Sequence, residues 1–174
     1  MIGESASFLE MQEHISHVAP LNKPVLFVGE RGTGKELVAA RLHYLSQRWE
    51  QTFLKINCAA MSETLLEAQL FGHEAGAYTG ATKQRKGFFE RAHGGTLFMD
   101  ELANTPMPVQ EKILRVIEYG EFERLGGNET LYVDVRILGA TNEDLPYLAS
   151  QGRFREDLLD RLAFDVVTLP PLRE

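Results

Sequence analysis

Only one cysteine, Cys58, stands in 174 residues, so no disulfide can form within the chain. Its place beside an apolar strand predicts a small core residue rather than a nucleophile. No apolar run approaches the roughly 20 residues that a membrane helix needs, and no secretory pattern opens the chain. The expectation is a cytoplasmic protein with no membrane contact. Asn128-Glu129-Thr130 has the form of a glycosylation acceptor, but without a secretory signal it reads as a chance match. Positive charge is in deficit: 18 Lys and Arg against 25 Asp and Glu leave a net charge of −7. Such a surface is a poor platform for the phosphate contacts that dominate DNA affinity, so any DNA contact is expected in a domain outside these residues. The five histidines are scattered without ligand spacing, which argues against a histidine-based metal centre. Repeats and low-complexity tracts are also missing.

What is present is a globular composition, 44% hydrophobic, long enough for one domain over residues 1–174. Apolar periodicity predicts a first helix over 5–18, with Phe8, Leu9, Gln12, Ile15 and Val18 inward. Val25-Leu26-Phe27-Val28 is a short, wholly apolar run, the pattern of a buried parallel strand. A helix follows over 34–48 with Leu37, Val38, Leu42 and Leu45 inward, then a strand over 53–57 and a helix capped by Ser62 that ends near Phe71. Residues 73–87 are polar, glycine-rich and aperiodic, and read as an insertion loop. A strand over 96–100, a helix opened by Pro106 or Pro108 and running to Glu118, a hairpin over 121–134 and a strand over 135–140 complete the middle. A helix over 155–162 and a strand over 164–169 come last. Strands alternating with helices predict an α/β fold: a parallel sheet of about five strands with helices on both faces, plus insertion loops.

The chemistry begins at Gly29-Glu30-Arg31-Gly32-Thr33-Gly34-Lys35-Glu36, between a strand and a helix. That is the setting in which a glycine-rich segment becomes a phosphate loop: backbone N–H groups turn around an anion, and the helix N-terminus favours negative charge. Lys35 supplies a point charge for the β- and γ-phosphates of ATP. The usual hydroxyl after the lysine, which holds Mg²⁺, is replaced by Glu36, whose carboxylate could accept hydrogen bonds from metal-bound water. Asp100 and Glu101 end an apolar strand, at the carboxyl edge where open α/β sheets bind ligands. Asp100 is placed to hold Mg²⁺ through water, and Glu101 to orient and deprotonate the attacking water. Asn142 ends the next core strand, where an amide can reach the γ-phosphate, although Thr-Asn there also suits a plain turn. Arg155 and Arg161 have two readings. Either they form salt bridges on a solvated helix with Glu156, Asp157 and Asp160, or they reach an ATP held by a neighbouring subunit. Gly76-Ala77-Tyr78-Thr79-Gly80-Ala81 places an aromatic between two glycine hinges. It reads as a mobile surface loop or as an element that grips another protein through an exposed Tyr78.

Together these motifs resemble the AAA+ ATPase domain of bacterial enhancer-binding proteins, the activators of sigma-54 RNA polymerase. That family carries Gly-Ala-Phe-Thr-Gly-Ala in its first pore loop, so Tyr78 departs by one hydroxyl, and its phosphate loop ends in Lys-Glu or Lys-Asp, so Glu36 is regular there. Leu70-Phe71-Gly72-His73-Glu74, Gly94-Gly95-Thr96-Leu97-Phe98, Gln110-Glu111-Lys112-Ile113-Leu114-Arg115 and Leu169-Pro170-Pro171-Leu172-Arg173-Glu174 match as well, so the resemblance spans essentially the whole chain. Arg41-Leu42-His43-Tyr44-Leu45-Ser46 and the early start at Ile2-Gly3-Glu4-Ser5 place it nearest one branch of the family. The resemblance implies that residues 76–81 contact sigma-54 and that Asn57 pairs with Glu101 as a nucleotide-state switch. It implies a second pore loop over 118–127 that includes Arg124. It makes Arg155 and Arg161 the trans-acting finger candidates in a homo-oligomeric ring, usually a hexamer. A helical lid and a DNA-binding helix-turn-helix are expected beyond residue 174.

Two readings follow. One is an ATP-hydrolysing ring that remodels a protein partner, favoured by Asp100 with Glu101. The other is a nucleotide-gated binding module that hydrolyses little as these 174 residues alone. A clamp-loader or unfoldase of the wider AAA+ group is disfavoured by residues 76–81.

Overall fold

The computed structural model describes residues 5–172. The expected start at Ile2-Gly3-Glu4 and the closing Arg173-Glu174 lie outside the described residues. Five parallel strands form the core: β1 (Val25–Val28), β2 (Phe53–Asn57), β3 (Thr96–Asp100), β6 (Arg136–Thr141) and β7 (Asp165–Thr168), in the order β2-β3-β6-β1-β7. A separate antiparallel pair, β4 (Glu121–Phe122) and β5 (Leu131–Tyr132), is the expected hairpin reduced to two residues a side. The α/β architecture read from the alternation is therefore the one present.

Strand alternation divides the core into two layers. Leu26, Leu97, Met99 and Ile137 face one side, against α3 (Glu63–Phe71), α5 (Met107–Tyr119), α6 (Leu145–Ser150) and α7 (Glu156–Leu162). Val25, Phe27, Phe98, Leu138 and Ala140 face the other, against α1 (Ala6–Val18) and α2 (Lys35–Leu45). Ser5 caps α1 through the Phe8 N–H, and Ser62 caps α3 through the Leu65 N–H, as short hydroxyls at helix starts should. Pro106 is the N-cap of α5 and Pro108 lies in its first turn.

Two expected apolar faces are corrected. In α1 the buried residues are Met11, Ile15 and Val18, while Leu9 is exposed. In α2 they are Val38, Ala39, Leu42 and His43, while Leu37 and Leu45 point to solvent. Small Ala39 and polar His43 take the inner positions, His43 because Thr96 and the Gln51 carbonyl satisfy its ring nitrogens. The short helices α4 (Phe88–Arg91) and α6 carried too little periodicity to be seen.

At the amino-terminal edge of the sheet, buried Arg136 donates to the carbonyls of Val18 (2.9 Å), Ala19 (2.7 Å) and Lys23 (2.9 Å), closing the C-terminus of α1. Burial lowers its pKa to about 10, with the charge of Arg48 adding to the effect.

Candidate functional site

The carboxyl ends of β1, β2, β3 and β6 lie at one edge of the sheet, because Val28 pairs with Thr141 and Asn57 with Asp100. From the first of these ends runs the phosphate loop. Gly32 (φ 77°) and Gly34 (φ 86°) adopt the left-handed conformation that turns backbone N–H groups inward, and Gly34 is the N-cap of α2. The Gly29 N–H donates to Thr141 O at 3.2 Å, and Thr33 Oγ1 donates to Glu30 O at 2.7 Å, which fixes the loop's entry and turn. Lys35 Nζ donates to the carbonyls of Gly29 and Glu30, each at 2.8 Å. Burial lowers the Lys35 pKa; the negative charge of Asp100 opposes that, Arg31 reinforces it, and Glu101 opposes it. The carboxylate strand end and the loop lysine are thus electrostatic neighbours.

Asp100 Oδ1 accepts the Glu101 N–H at 2.8 Å. Glu101 has φ 50° and ψ 46°, and it is the sole non-glycine residue with positive φ among the described residues. Its side chain lies 3.9 Å from Arg31 Nη2 of the phosphate loop. Behind it, Cys58 is buried and its thiol is pushed up to about 11, by burial first of all, as a core residue rather than a nucleophile. Among the described residues no cluster of three or more His, Cys, Asp or Glu forms a metal cage. Mg²⁺ suits this edge nonetheless, because it is ordinarily held by one or two carboxylates together with substrate phosphates and water.

Asn57, expected to pair with Glu101, lies in register with Asp100; its Oδ1 accepts the Ala59 N–H at 2.9 Å, and no hydrogen bond joins it to Glu101 among the described residues. Glu36 is ion-paired with Lys55 on β2, a partner the sequence reading did not name. Asn142 is exposed at the end of β6 and, with Val28 and Thr168, lines a cleft of about 600 Å³. Thr141 Oγ1 accepts the Glu143 N–H there, so a turn is also present.

Arg155 and Arg161 do not touch the phosphate loop of their own chain. Arg155 forms a bidentate pair with Asp157 (3.0 and 2.9 Å), and Arg161 Nε donates to Glu118 Oε1 at 3.0 Å. Of the salt bridges expected on a solvated helix, the one to Asp157 is present, and Glu118 replaces Glu156 and Asp160. Arg161 also lines a cleft with Lys23, Pro24 and Phe164, at the amino-terminal ends of the strands and away from the phosphate loop.

The insertion over 73–87 folds onto the second loop. Gly72 (φ 77°) leaves no room for a Cβ, which would meet Arg85 O at 2.5 Å. His73 makes single β-bridges to both Arg85 and Leu125, which tie the loop base to the second loop. Gly126 packs against Ala77: an added Cβ would lie 2.8 Å from the Ala77 Cβ. Gly76 (φ 80°) and Gly80 (φ 96°) are surrounded by open space, so backbone conformation rather than room requires glycine there. The Gly76 N–H donates to Ala81 O at 2.6 Å and the Ala81 N–H to Tyr78 O at 3.0 Å, closing the tip. One expectation is corrected: Tyr78 is half-buried rather than exposed, edge-on to the His73 ring at 5.1 Å. Arg124, expected within the second pore loop, is turned inward: its side chain is 13% exposed, bidentate on Glu90 (2.8 and 2.9 Å) and 3.2 Å from Glu74. Its pKa is raised by the Glu90 hydrogen bonds first and Glu74 after them. Glu74, Glu90 and Gly126 were not singled out, because nothing local in the sequence reveals a contact made between two loops.

A parallel sheet in this order, with a glycine-rich phosphate loop after β1 and paired carboxylates after β3, defines a P-loop NTPase of the AAA+ class. The chain belongs to the sigma-54 interaction domain family, whose description matches residues 1–168. It is 67% identical over its whole length to the Psp operon transcriptional activator of Escherichia coli (strain K12), and spans 54% of that protein. That is the branch expected from residues 41–46. It is 52% identical to the Nif-specific regulatory protein of Azotobacter vinelandii, and spans 33% of it. The chain thus spans about half or less of the curated relatives it matches. A solved structure of NtrX from Brucella abortus in complex with ADP superimposes with a TM-score of 0.92 at 38% identity, covering 99% of this chain and 37% of that one.

Proposed function

We propose that the chain hydrolyses ATP, with Mg²⁺, within a homo-oligomeric ring, and that it uses the cycle to remodel sigma-54 RNA polymerase through residues 76–81. The observation that carries this reading is Glu101. A non-glycine residue held left-handed stores on the order of 1–3 kcal/mol of strain, and such residues cluster at functional sites. This one follows Asp100 and faces the phosphate loop. The family and its ADP-bound relative support nucleotide binding at that edge.

In this mechanism residues 29–34 cradle the phosphates with backbone N–H groups, and Lys35 exchanges its bonds to Gly29 O and Glu30 O for phosphate oxygens. Asp100 would hold Mg²⁺, with water between them. When bound, Mg²⁺ neutralises charge that develops on the β- and γ-phosphate oxygens. Glu101 orients and deprotonates the attacking water, and Asn142 reaches the γ-phosphate. Asn57 releases Ala59 to meet Glu101 as nucleotide state changes. Arg155 or Arg161 leaves its carboxylate partner to complete a neighbour's site. Arg124 braces the gripping loop through Glu74 and Glu90.

Glu101→Gln in the full chain keeps ATP binding and lowers turnover by roughly 10²-fold or more. Lys35→Ala weakens ATP binding itself, and calorimetric titration beside a phosphate-release assay separates the two. Unchanged turnover in Glu101→Gln would reject the general-base role, and nucleotide binding without turnover in the unaltered chain would favour the nucleotide-gated binding module.

A further inference from the structure

Gln110 is fully buried in the first turns of α5, yet both ends of its amide are used. Its Nε2 donates to Thr105 O at 2.7 Å, and its Oε1 accepts the Arg155 N–H at 2.8 Å. One partner can only accept and the other can only donate, so a side-chain amide satisfies both where a carboxylate or an apolar group cannot. Both partners sit at meaningful places. Thr105 ends the one-turn 3-10 helix (Leu102–Asn104) that starts at Glu101, and its own N–H donates to Leu102 O at 3.1 Å. Arg155 is the N-cap of α7, whose last turn carries Arg161. Along the same side of α5, Glu118 holds Arg161 at 3.0 Å, and Glu111 lies 3.9 Å from Arg155.

We propose that Gln110 is a positioning residue that couples the turn carrying Glu101 to helix α7 and its two arginines. A shift of the Glu101 turn moves Thr105 O, and the buried amide passes that shift to the N-cap of α7. The nucleotide state sensed at Glu101 thereby sets where Arg155 and Arg161 stand at the subunit boundary. The catalytic consequence rests on the proposed ATPase reading; the mechanical coupling requires only that nucleotide binds.

The test uses Gln110→Met in the full chain, which keeps side-chain length and removes both bonds. Hydrogen exchange is measured with and without ADP and aluminium fluoride. In the wild type, ligand slows exchange at residues 101–105 and also at 159–162. In Gln110→Met the first response stays and the second is lost. The KM for ATP stays within about twofold while kcat falls by roughly tenfold or more, as small displacements of catalytic groups do. Gln110→Glu keeps an acceptor for the Arg155 N–H but has no donor for Thr105 O; it too loses the response at residues 159–162, and it is read in the same way should Gln110→Met not fold. A ligand response at residues 159–162 that is equal in wild type and variants, or absent from the wild type, overturns the proposal. A wild-type chain that binds nucleotide without hydrolysing it would reject the ATPase reading, and the exchange comparison would still decide the coupling.

Discussion

His43 is buried on α2, stacked on Phe53 at 5.1 Å, with Nδ1 2.9 Å from Thr96 Oγ1 and Nε2 3.1 Å from Gln51 O. The carbonyl can only accept, so Nε2 carries the proton and Nδ1 accepts from the threonine hydroxyl. Burial lowers the His43 pKa, the Gln51 carbonyl opposes this, and the charges of Arg136 and Arg48 add to it. A base whose folded pKa is depressed binds its proton more readily when unfolded. Its contribution to stability is therefore complete above the unfolded value of about 6.5 and is lost as pH falls below it, towards the folded pKa. Thermal unfolding followed from pH 7.5 down to 5.5 should show a falling midpoint, and His43→Gln should flatten that slope; an unchanged slope would remove His43 as the cause. The same residue marks a limit of sequence reading. A histidine between apolar helix positions gave no sign that it would displace Leu45 from the core, because its two partners, Gln51 and Thr96, come from elsewhere in the chain.

At the scale of elements, the two insertion loops stand or fall together. Arg124 ties the second loop to Glu90 on α4 and to Glu74 at the base of the first. Arg124→Met leaves a mostly buried Glu90 carboxylate without its partner and should cost about 2–3 kcal/mol in urea unfolding. Exchange at residues 72–82 should rise with it, and a loss below about 0.5 kcal/mol would show that the pair does not hold the loops. The elements that position the phosphate site were legible in the sequence for local reasons. β1, the glycine loop, α2 and β3 are set by apolar runs and glycines that need positive φ at fixed places. Arg124 had no such local mark. It entered only through the resemblance, as part of the second pore loop, and only the fold brings two glutamates to it. Tyr78 was read as free because glycines flank it, whereas His73, five residues earlier, supplies a ring to pack against.

For the whole molecule, the proposed cycle hydrolyses ATP at one edge of the sheet and grips sigma-54 with a loop elsewhere. The proposed partner follows from membership in the sigma-54 interaction domain family, and the loop geometry supplies the residue to test. Tyr78→Ala removes one edge-on aromatic contact and should cost no more than about 1 kcal/mol of stability. The decisive measurement is sigma-54 binding by the full chain in the presence of ADP and aluminium fluoride, beside its ATPase rate. The account predicts that Tyr78→Ala keeps the ATPase rate and loses sigma-54 binding, while Tyr78→Phe keeps both. Binding by Tyr78→Ala equal to that of the wild type would contradict it, leaving a nucleotide-binding domain whose loop serves some other purpose.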